Sequence, residues 1–391
     1  MSTRVSVTGA RKPRDRLVII ALSGGVDSAV AAWRLLEEGW QVQGLHMTNW
    51  EDDEAYCTAA EDLRAARRVA DQLGIPLHLV NFSSAYRARV FQAFLDEYAA
   101  GRTPNPDVLC NREIKFGECL SHARRLGAEF LATGHYARVL RDDRGVRLAL
   151  ATDQDKDQTY FLHAVPQAAL AHALFPLGDL SKAEVRALAR EIGLANWDRP
   201  DSTGICFIGE RPFQEFLGTH LAARPGPIED EHGTVLGEHR GLMFYTIGQR
   251  GGLGLGGRAG ASEAPWYVAA KRLVDNTLVV VQGAGHPWLF RAGLVADTLH
   301  WIGAPPKTSG HAVDLPLQAR IRHRQGLQSV SVTLEAGGTR ARVAFAEPQR
   351  GVAPGQYVVF YDGDDCLGGG VIRESLTCVP TADSLQATLT C

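Results

Sequence analysis

The residues of this 391-residue chain that are best suited to chemistry form one short stretch near its start. They are Ser23, Gly24, Gly25, Val26, Asp27 and Ser28. An apolar run precedes them and apolar residues at helical spacing follow them, which predicts a turn from a buried strand into a helix. Glycines there let backbone N–H groups approach a ligand, and the helix start carries partial positive charge. Because the lysine of a Walker loop is missing, we expect a pyrophosphate site; a tight turn with capping serines is the alternative.

Two cysteines add a second kind of chemistry. Cys110 lies at or just inside the start of a predicted helix, where the helix dipole favours a thiolate, and Cys206 lies in a predicted loop. A single cysteine is more often a small buried hydrophobic residue than a nucleophile, and we expect this of Cys119 in its helical stretch. Residues 23–28 resemble the PP-loop signature of ATP pyrophosphatases, which adenylate a carbonyl and release pyrophosphate. The resemblance implies that a persulfide on one thiol could supply sulfur to such a carbonyl while the second thiol closes a disulfide.

The elements that must position these residues alternate between strand and helix from residue 17 to about residue 133. Strands are predicted over 18–22, 41–47, 77–81 and 129–133, and helices over about 54–73, 84–100 and 110–126. This order predicts a doubly wound, mostly parallel α/β sheet with ligands at the carboxyl ends of its strands. Met47 and the pair Gly134 and His135 lie at two of these ends. Met47 is therefore an adenine contact or a core residue, and His135 a ligand or a structural histidine.

The composition fits an ordinary globular protein of two or three domains, because 45% of the residues are hydrophobic. Seven scattered cysteines indicate a reducing compartment rather than a disulfide framework. No apolar run is long enough to cross a membrane, so we expect a cytoplasmic protein without membrane contact, and we expect a monomer. The net charge of −3 means that an RNA partner would need locally clustered arginines.

The second half of the chain changes character at about residue 212, where short strands with glycine and proline turns replace helices. From about residue 288 the alternation predicts a small barrel or sandwich. Arg320, Arg322 and Arg324 fall on one face of a predicted strand, which is either solvated or contacts backbone phosphates. Residues 252–257 fit G-x-G-x-x-G, but the loop-like residues after them do not suit a dinucleotide site.

These shifts in pattern divide the chain into five segments. We expect a disordered basic leader over 1–16, an α/β nucleotide-binding domain over 17–211 and a small β-rich central domain over 212–286. A β-barrel follows over 287–379, to which the family resemblance given next assigns tRNA binding, and a loose tail over 380–391.

Several short sequence motifs, in the same order along the chain, match those of one protein family. The chain resembles the tRNA-specific 2-thiouridylases of the PP-loop ATP pyrophosphatase superfamily from about residue 17 to residue 372. The matching words are SGGVDS at 23–28, GLHMTNW at 44–50, TPNPDVLCN at 103–111, ATGHYA at 132–137, KDQ at 156–158, DSTGICFIGE at 201–210, TIGQR at 246–250 and LGGG at 367–370.

The resemblance implies a nucleotide site, a sulfur relay and a set of RNA contacts. ATP, with Mg²⁺, would lie against Ala21, Leu22 and residues 23–28, with Met47 and Gly134 also in contact. Adenylation of the C2 oxygen of the wobble uridine would precede sulfur transfer from a persulfide on Cys206, and Cys110, the nucleophile, would release the sulfur by forming a disulfide with Cys206. Asn105, Pro106 and Asp107 would neighbour the target base, with Asp107 handling a proton. Further contacts with tRNA are implied for His135, Lys156, Asp157, Gln158, Arg322, His323 and Gln356.

The resemblance also implies that a cysteine desulfurase or a sulfur-relay protein supplies the sulfur. The chain departs from the family at Ala21, where glycine is common, and at His46 and Thr48, where phenylalanine and lysine are frequent. Three other readings stay open. A PP-loop ligase or amidotransferase would need neither thiol, an iron–sulfur protein would use both with a third ligand, and an RNA-binding protein without activity would use only the β-rich tail.

Overall fold

The computed structural model describes residues 15–50, 59–200, 213–255, 264–306, 313–335 and 337–377. The predicted leader up to residue 14, the predicted start of the second helix, Cys206 and the loose tail lie outside these ranges. The chain divides into two compact units. The N-terminal unit contains residues 1–87 and 110–210, and the C-terminal unit contains residues 88–109 and 211–391.

The N-terminal unit is built on a parallel sheet. The strands of the sheet are β1 (Leu17–Ala21), β2 (Gln41–Thr48), β3 (Leu77–Asn81), β4 (Phe130–Ala132) and β7 (Ala173–Leu174). Between β4 and β7 in the sequence, β5 (Arg138–Asp142) and β6 (Gly145–Ala149) form a separate hairpin. The sheet has the order β3-β2-β1-β4-β7, and every neighbouring pair is parallel. The predicted α/β class is therefore confirmed, with the glycine-rich stretch following the central strand.

The described helices belong to both units, the fourth, fifth and tenth of them to the C-terminal unit. In chain order they are α1 (Val26–Glu37), α2 (Ala59–Leu73), α3 (Ser83–Tyr86), α4 (Gln92–Ala99), α5 (Pro106–Leu109), α6 (Leu120–Arg125), α7 (Thr159–Leu162), α8 (Gln167–Leu170), α9 (Lys182–Glu191) and α10 (Phe213–His220). Arg87–Phe91 and Cys110–Cys119 are π-helical. Among these described helices, none is long and apolar enough to cross a membrane.

The core of the N-terminal unit explains why α1 lies close to the sheet. Val18 and Ile20 of β1 are fully buried, and each such side chain contributes about 1.5–3 kcal/mol. Opposite them, α1 buries Ala29, Val30 and Ala31. These residues belong to the same buried cluster as Val18 and Ile20, and the small alanine side chains let α1 pack closely against this core. A large side chain at Ala29 would overpack the core.

The C-terminal unit contains a small sheet and a closed barrel. The sheet consists of β8 (Gly226–Glu229), β9 (Val235–His239), β10 (Trp266–Arg272) and β11 (Thr277–Gln282), in the order β10-β11-β8-β9. The barrel consists of β12 (Phe290–Trp301), β13 (Val313–Arg320), β14 (Gln328–Leu334), β15 (Ala341–Arg350), β16 (Tyr357–Asp362) and β17 (Asp365–Leu376). Pairing of β12 with both β15 and β17 closes it, so the predicted C-terminal barrel is confirmed.

One stretch of the predicted α/β domain belongs instead to the C-terminal unit. Residues 88–109 carry α4, whose Phe94 and Tyr98 form an aromatic cluster with Phe213 near the start of α10. Phe91 adds edge contacts with Phe216. Rings at these distances each add about 0.5–1.5 kcal/mol beyond their buried area. This cluster ties the stretch to the C-terminal unit.

Candidate functional site

The glycine-rich stretch, here called the glycine loop (residues 22–28), joins β1 to α1. The Leu22 N–H donates to the Leu45 carbonyl at 2.8 Å, which keeps the chain in line with β2 for one residue beyond the strand. The turn that follows is tight, because Gly24 has a φ of +86° and a Cβ there would lie 2.6 Å from the Asp62 carbonyl oxygen. Only glycine suits this position. The helix begins at Val26, so Asp27 and Ser28 lie in its first turn and not in the predicted turn.

Two serines organise the backbone of the glycine loop. Ser28 Oγ donates to the Gly25 carbonyl at 3.0 Å and accepts from the Ser23 N–H at 3.3 Å. The Gly25 N–H donates to Ser23 Oγ at 3.3 Å. These bonds are long for hydroxyl acceptors, and an anion that accepted from the same N–H groups would form stronger charge-assisted bonds. Together with the positive end of α1, the loop can bind a pyrophosphate.

Asp27 is the charged side chain of the glycine loop, and it has a specific cation. Its two carboxylate oxygens accept from Lys182 Nζ at 2.7 and 2.8 Å, and its Oδ1 also accepts from the Tyr136 hydroxyl at 2.9 Å. Lys182 is the first residue of α9, which begins with a capping box of Ser181 and Glu184. Its sequence context predicts no role for Lys182. The available signal is that a cation at the start of a helix opposes the helix dipole, so it needs another reason to be there.

A second pair of residues missed by sequence reasoning holds the tip of the glycine loop. Asn196 Nδ2 and Arg199 Nη1 both donate to the Gly24 carbonyl, at 2.8 and 3.2 Å. Arg199 Nη2 also binds Asp62 Oδ1 at 2.6 Å. Because the carbonyl of one residue and the N–H of the next point in opposite directions across a peptide, these donors also fix the direction of the Gly25 N–H.

The ends of two strands border the glycine loop. Gly134, two residues beyond β4, packs so closely that a Cβ there would lie 2.8 Å from the carbonyl carbon of Asp27 and from the backbone nitrogen of Ser28. His46 lies beneath the loop, with Nδ1 2.8 Å from the Leu22 carbonyl oxygen. Met47, near the end of β2, is partly exposed. A contact of Met47 with adenine stays a prediction.

His135 is in the position of a structural histidine. It is 8% exposed, Nδ1 lies 2.7 Å from Thr133 Oγ1, and Nε2 lies 3.4 Å from Lys115 Nζ. Burial, with the nearby Lys115 charge, lowers the pKa of His135 well below its ordinary value, so the ring is neutral at pH 7. Both ring nitrogens face protein atoms, and a contact with tRNA stays a prediction.

Residues 156–158 form part of a loop that leads back to the glycine loop. Asp157 is 1% exposed and accepts from the Ala151 N–H and the Thr159 hydroxyl, at 2.9 and 2.6 Å. Gln158 Oε1 accepts from the Tyr136 N–H at 2.9 Å, and the hydroxyl of the same tyrosine reaches Asp27. Asp157 therefore holds the loop together. The tRNA contacts predicted for Lys156, Asp157 and Gln158 stay predictions.

The helical stretch that contains Cys110 begins earlier than predicted. Asn105 Oδ1 accepts from the Asp107 N–H at 3.2 Å, which is a helix-capping bond, and Pro106 is the first residue of α5. Cys110 starts the following π-helical stretch, one turn further on, and is 4% exposed. The prediction places Cys110 at or just inside a helix start. The structure has it as the first residue of the π-helical stretch, one turn inside the helical segment that begins at Pro106, where the favourable effect of the dipole is weaker. Asp107 occupies the first turn instead.

The predicted arginine face in the barrel is wrong. Strand β13 ends at Arg320, and Arg324 has a φ of +63°, so the period of two does not extend through residues 321–324. Arg320 is 3% exposed, with its guanidinium 5.3 Å from the centre of the Tyr361 ring. Arg322 lies in the turn, where its Nη1 donates to the Arg350 carbonyl at 2.7 Å. Contacts of Arg322 and His323 with tRNA stay predictions.

Gln356 contacts the segment that precedes α5. Its Nε2 donates to the carbonyls of Thr103 and Pro104, at 2.8 and 3.2 Å. Gln356, Thr103 and Pro104 all belong to the C-terminal unit. Elsewhere, the residues that the structure describes contain no group of three or more histidine, cysteine or acidic side chains that could hold a metal ion.

A parallel sheet whose central strand leads through an SGGVDS loop into a helix is the arrangement of the PP-loop class of ATP-binding proteins. Three family models match the chain: a tRNA methyl transferase HUP domain over residues 16–210, a tRNA methyl transferase PRC-barrel domain over residues 214–282 and an aminomethyltransferase beta-barrel domain over residues 291–372.

Relatives along nearly the whole chain are more specific. The tRNA-specific 2-thiouridylase MnmA of Alcanivorax borkumensis is 54% identical over 93% of this chain and 99% of its own length. The enzymes of the same name from Chromohalobacter salexigens and Hahella chejuensis are also 54% identical, each over 92% of this chain and over 92% and 98% of their own lengths. The chain belongs to the tRNA-specific 2-thiouridylase family. A 4-thiouridine synthetase solved with RNA and ATP matches 52% of this chain and 50% of its own, with 19% identity and a TM-score of 0.35, too low to bear on function.

Proposed function

We propose that this protein is a tRNA-uridine 2-sulfurtransferase, which uses ATP to convert the wobble uridine of tRNA to 2-thiouridine. ATP transfers AMP to the C2 oxygen of the uridine and releases pyrophosphate, so a poor leaving group becomes a good one. Sulfur from a persulfide then replaces the oxygen at C2, and AMP leaves. The observation that carries the proposal is the glycine loop between β1 and α1, with Gly134 packed against it, in a chain of this family.

The nucleotide part of the proposal uses the glycine loop. Its N–H groups and the start of α1 suit the pyrophosphate, and Met47, at the end of β2, suits the adenine. The Asp27 carboxylate fits Mg²⁺, which typically takes one or two carboxylates together with substrate phosphates. Mg²⁺ would neutralise the charge of the phosphates. Lys182 would then turn from Asp27 towards the phosphates, where its ammonium group can also bind.

The sulfur part of the proposal uses the two cysteines. Cys206 carries the persulfide, whose terminal sulfur attacks C2 of the adenylated base. The Cys110 thiolate then attacks the inner sulfur, so a Cys110–Cys206 disulfide forms and the outer sulfur stays on the base as the thiocarbonyl. An external thiol returns both cysteines to the reduced form. Asp107, in the first turn of α5, handles the proton at the uridine.

Partners and setting complete the proposal. Asn105, Pro106 and Asp107 neighbour the uridine, while Lys156 and the turn with Arg322 and His323 contact the tRNA backbone. A cysteine desulfurase or a sulfur-relay protein loads Cys206. The protein acts as a cytoplasmic monomer.

The test is nucleoside analysis after incubation with unmodified tRNA, ATP, Mg²⁺ and a persulfide donor. We expect 2-thiouridine, with AMP and pyrophosphate in equal amounts. Cys110→Ser and Cys206→Ser should each abolish the product and leave ATP binding intact, whereas Cys119→Ala, a change at a buried core cysteine, should retain it. A methylated or aminated nucleoside, or thiolation that survives both serine variants, would overturn the proposal. Visible absorbance of anaerobically purified protein would favour an iron–sulfur protein.

A further inference from the structure

Residues 101–104 are here called the clamped segment. Their backbone N–H and carbonyl groups form hydrogen bonds with other residues of the C-terminal unit. The Thr103 N–H donates to the Pro354 carbonyl at 2.9 Å. Gln356 Nε2 donates to the Thr103 carbonyl at 2.8 Å and to the Pro104 carbonyl at 3.2 Å. Consecutive peptides of the clamped segment are therefore bound to the turn between β15 and β16.

Close packing and a charged network add to these bonds. Gly355 has a φ of +93°, and a Cβ there would lie within 2.9 Å of the backbone of Thr103. The backbones of these two segments are therefore in direct contact. Lys271 Nζ donates to the Gly101 carbonyl at 3.1 Å. The position before Thr103 is held as well, because Arg102 binds both oxygens of Glu97, at 2.6 and 2.8 Å.

The residues that follow the clamped segment are stiff, so its position also determines the position of Asp107. Pro104 and Pro106 have fixed φ angles, and the residues before them, Thr103 and Asn105, are restricted to extended conformations. Asn105 is further fixed by its bond to the Asp107 N–H. Little freedom is left between the Thr103 carbonyl and Asp107, so a displacement at one end moves the other.

We propose, on the basis of the function proposed above, that Gln356 is a positioning residue for the uridine site: its carboxamide fixes the Thr103 and Pro104 carbonyls and so sets the placement of Asn105, Pro106 and Asp107. An amide nitrogen has two N–H donors, and both carbonyls are within reach of this one. The N–H groups of Gln356 therefore bind the clamped segment.

The test replaces the donor without changing the shape of the side chain. Gln356→Glu turns the N–H group into a carboxylate oxygen that repels both carbonyls. Gln282→Glu is the matched control, because Gln282 Nε2 also donates to a backbone carbonyl in the same unit, that of Ala264, at 3.2 Å. Three quantities are measured for each protein: amide hydrogen exchange at residues 101–107, the affinity for unmodified tRNA, and the single-turnover rate of thiolation.

We expect Gln356→Glu to speed exchange at the Thr103 amide and to slow thiolation about 100-fold, a loss that saturating tRNA does not restore, because small misplacements at a reacting centre are costly. Gln282→Glu should change none of the three. Unchanged exchange at Thr103, or a full rate once tRNA is saturating, would overturn the proposal.

Failure of the proposed function gives a different result. In that case the unsubstituted protein makes no 2-thiouridine, while hydrogen exchange still decides whether Gln356 fixes the clamped segment. Should Gln356→Glu not fold, Gln356→Asn takes its place, because it keeps the amide and withdraws it by one methylene group. The same three expectations apply to it.

Discussion

Lys182 Nζ lies 2.7 and 2.8 Å from the two carboxylate oxygens of Asp27, although 155 residues separate them in the chain. The lysine side chain is 12% exposed and the aspartate side chain 31%, so the pair is shielded from water on most sides. In the nucleotide site proposed above, the ion pair would cancel the carboxylate charge, which otherwise repels the phosphates.

Replacement of Lys182 by methionine should weaken ATP binding. The change leaves the Asp27 carboxylate facing an anionic ligand, and the loss of a charged hydrogen bond of this kind costs about 2 kcal/mol, or roughly 30-fold in the dissociation constant. The loss should be largest in EDTA, because Mg²⁺ can supply the missing positive charge. Isothermal titration calorimetry with and without Mg²⁺ measures both effects.

Two further variants separate the effect of the lost charge from an effect on the stability of α9. Lys182→Arg keeps the charge and should recover most of the affinity. Arg190→Met removes a different cation of α9, one whose guanidinium lies 5.4 Å from the centre of the Trp197 ring, and should leave ATP binding unchanged. An equal loss in Arg190→Met would mean that Lys182 acts only through the stability of α9.

Gly134→Ala should also impair ATP binding, for a steric reason. The added methyl group would meet the backbone of Asp27 and Ser28 at 2.8 Å, and overpacking of this kind costs about 1–3 kcal/mol. The strain is relieved if the first turn of α1 shifts, which moves the N–H groups that bind phosphate. Gly218→Ala, where a Cβ meets nothing within 4 Å, is the control. Retained affinity in Gly134→Ala would show that the loop does not depend on this close packing.

How far the sequence could predict the site depends on the range of the interactions. The strand, glycine loop and first helix depend on local spacing, and the structure has them in the predicted order, with the helix beginning at Val26, inside the predicted turn. Lys182, Asn196 and Arg199 reach the same loop from more than 150 residues away, and no local pattern indicates such a contact. A lysine at a helix start, against the dipole, was the one local sign.

The errors also have physical causes. Alternation of arginines continues past Arg320, but the period of two cannot show where a strand ends, and a positive φ at Arg324 turns the chain. For Cys110, the helical segment starts one turn earlier than residue 110 because the Asn105 side chain caps it and Pro106 suits its first position, a local signal that the predicted start at residue 110 does not use. The apolar face of α4 can be recognised in the sequence. The sequence does not show that α10 packs against this face.

Cys119 should be inert to alkylation in the native protein. Burial raises its pKa to about 12, against a smaller opposing effect of Lys115, so almost no thiolate is present at pH 8. Mass spectrometry after treatment with iodoacetamide should find Cys119 unmodified until a denaturant is added. Rapid modification of Cys119 under native conditions would show that the helix which carries it opens readily, and would remove it as the control cysteine.

Lys271 should make the stability of the protein rise with pH. Burial lowers its pKa from 10.5 to about 8, so below pH 8 the lysine is charged in both states and its burial costs free energy. Between about pH 8 and 10.5 only the unfolded chain binds the proton, and the free energy of unfolding therefore increases with pH in this window. Lys271→Met lacks this proton. The melting temperature of the unsubstituted protein should accordingly rise relative to that of Lys271→Met between pH 7 and pH 9.5, and a constant or falling difference would mean that the ammonium group is solvated.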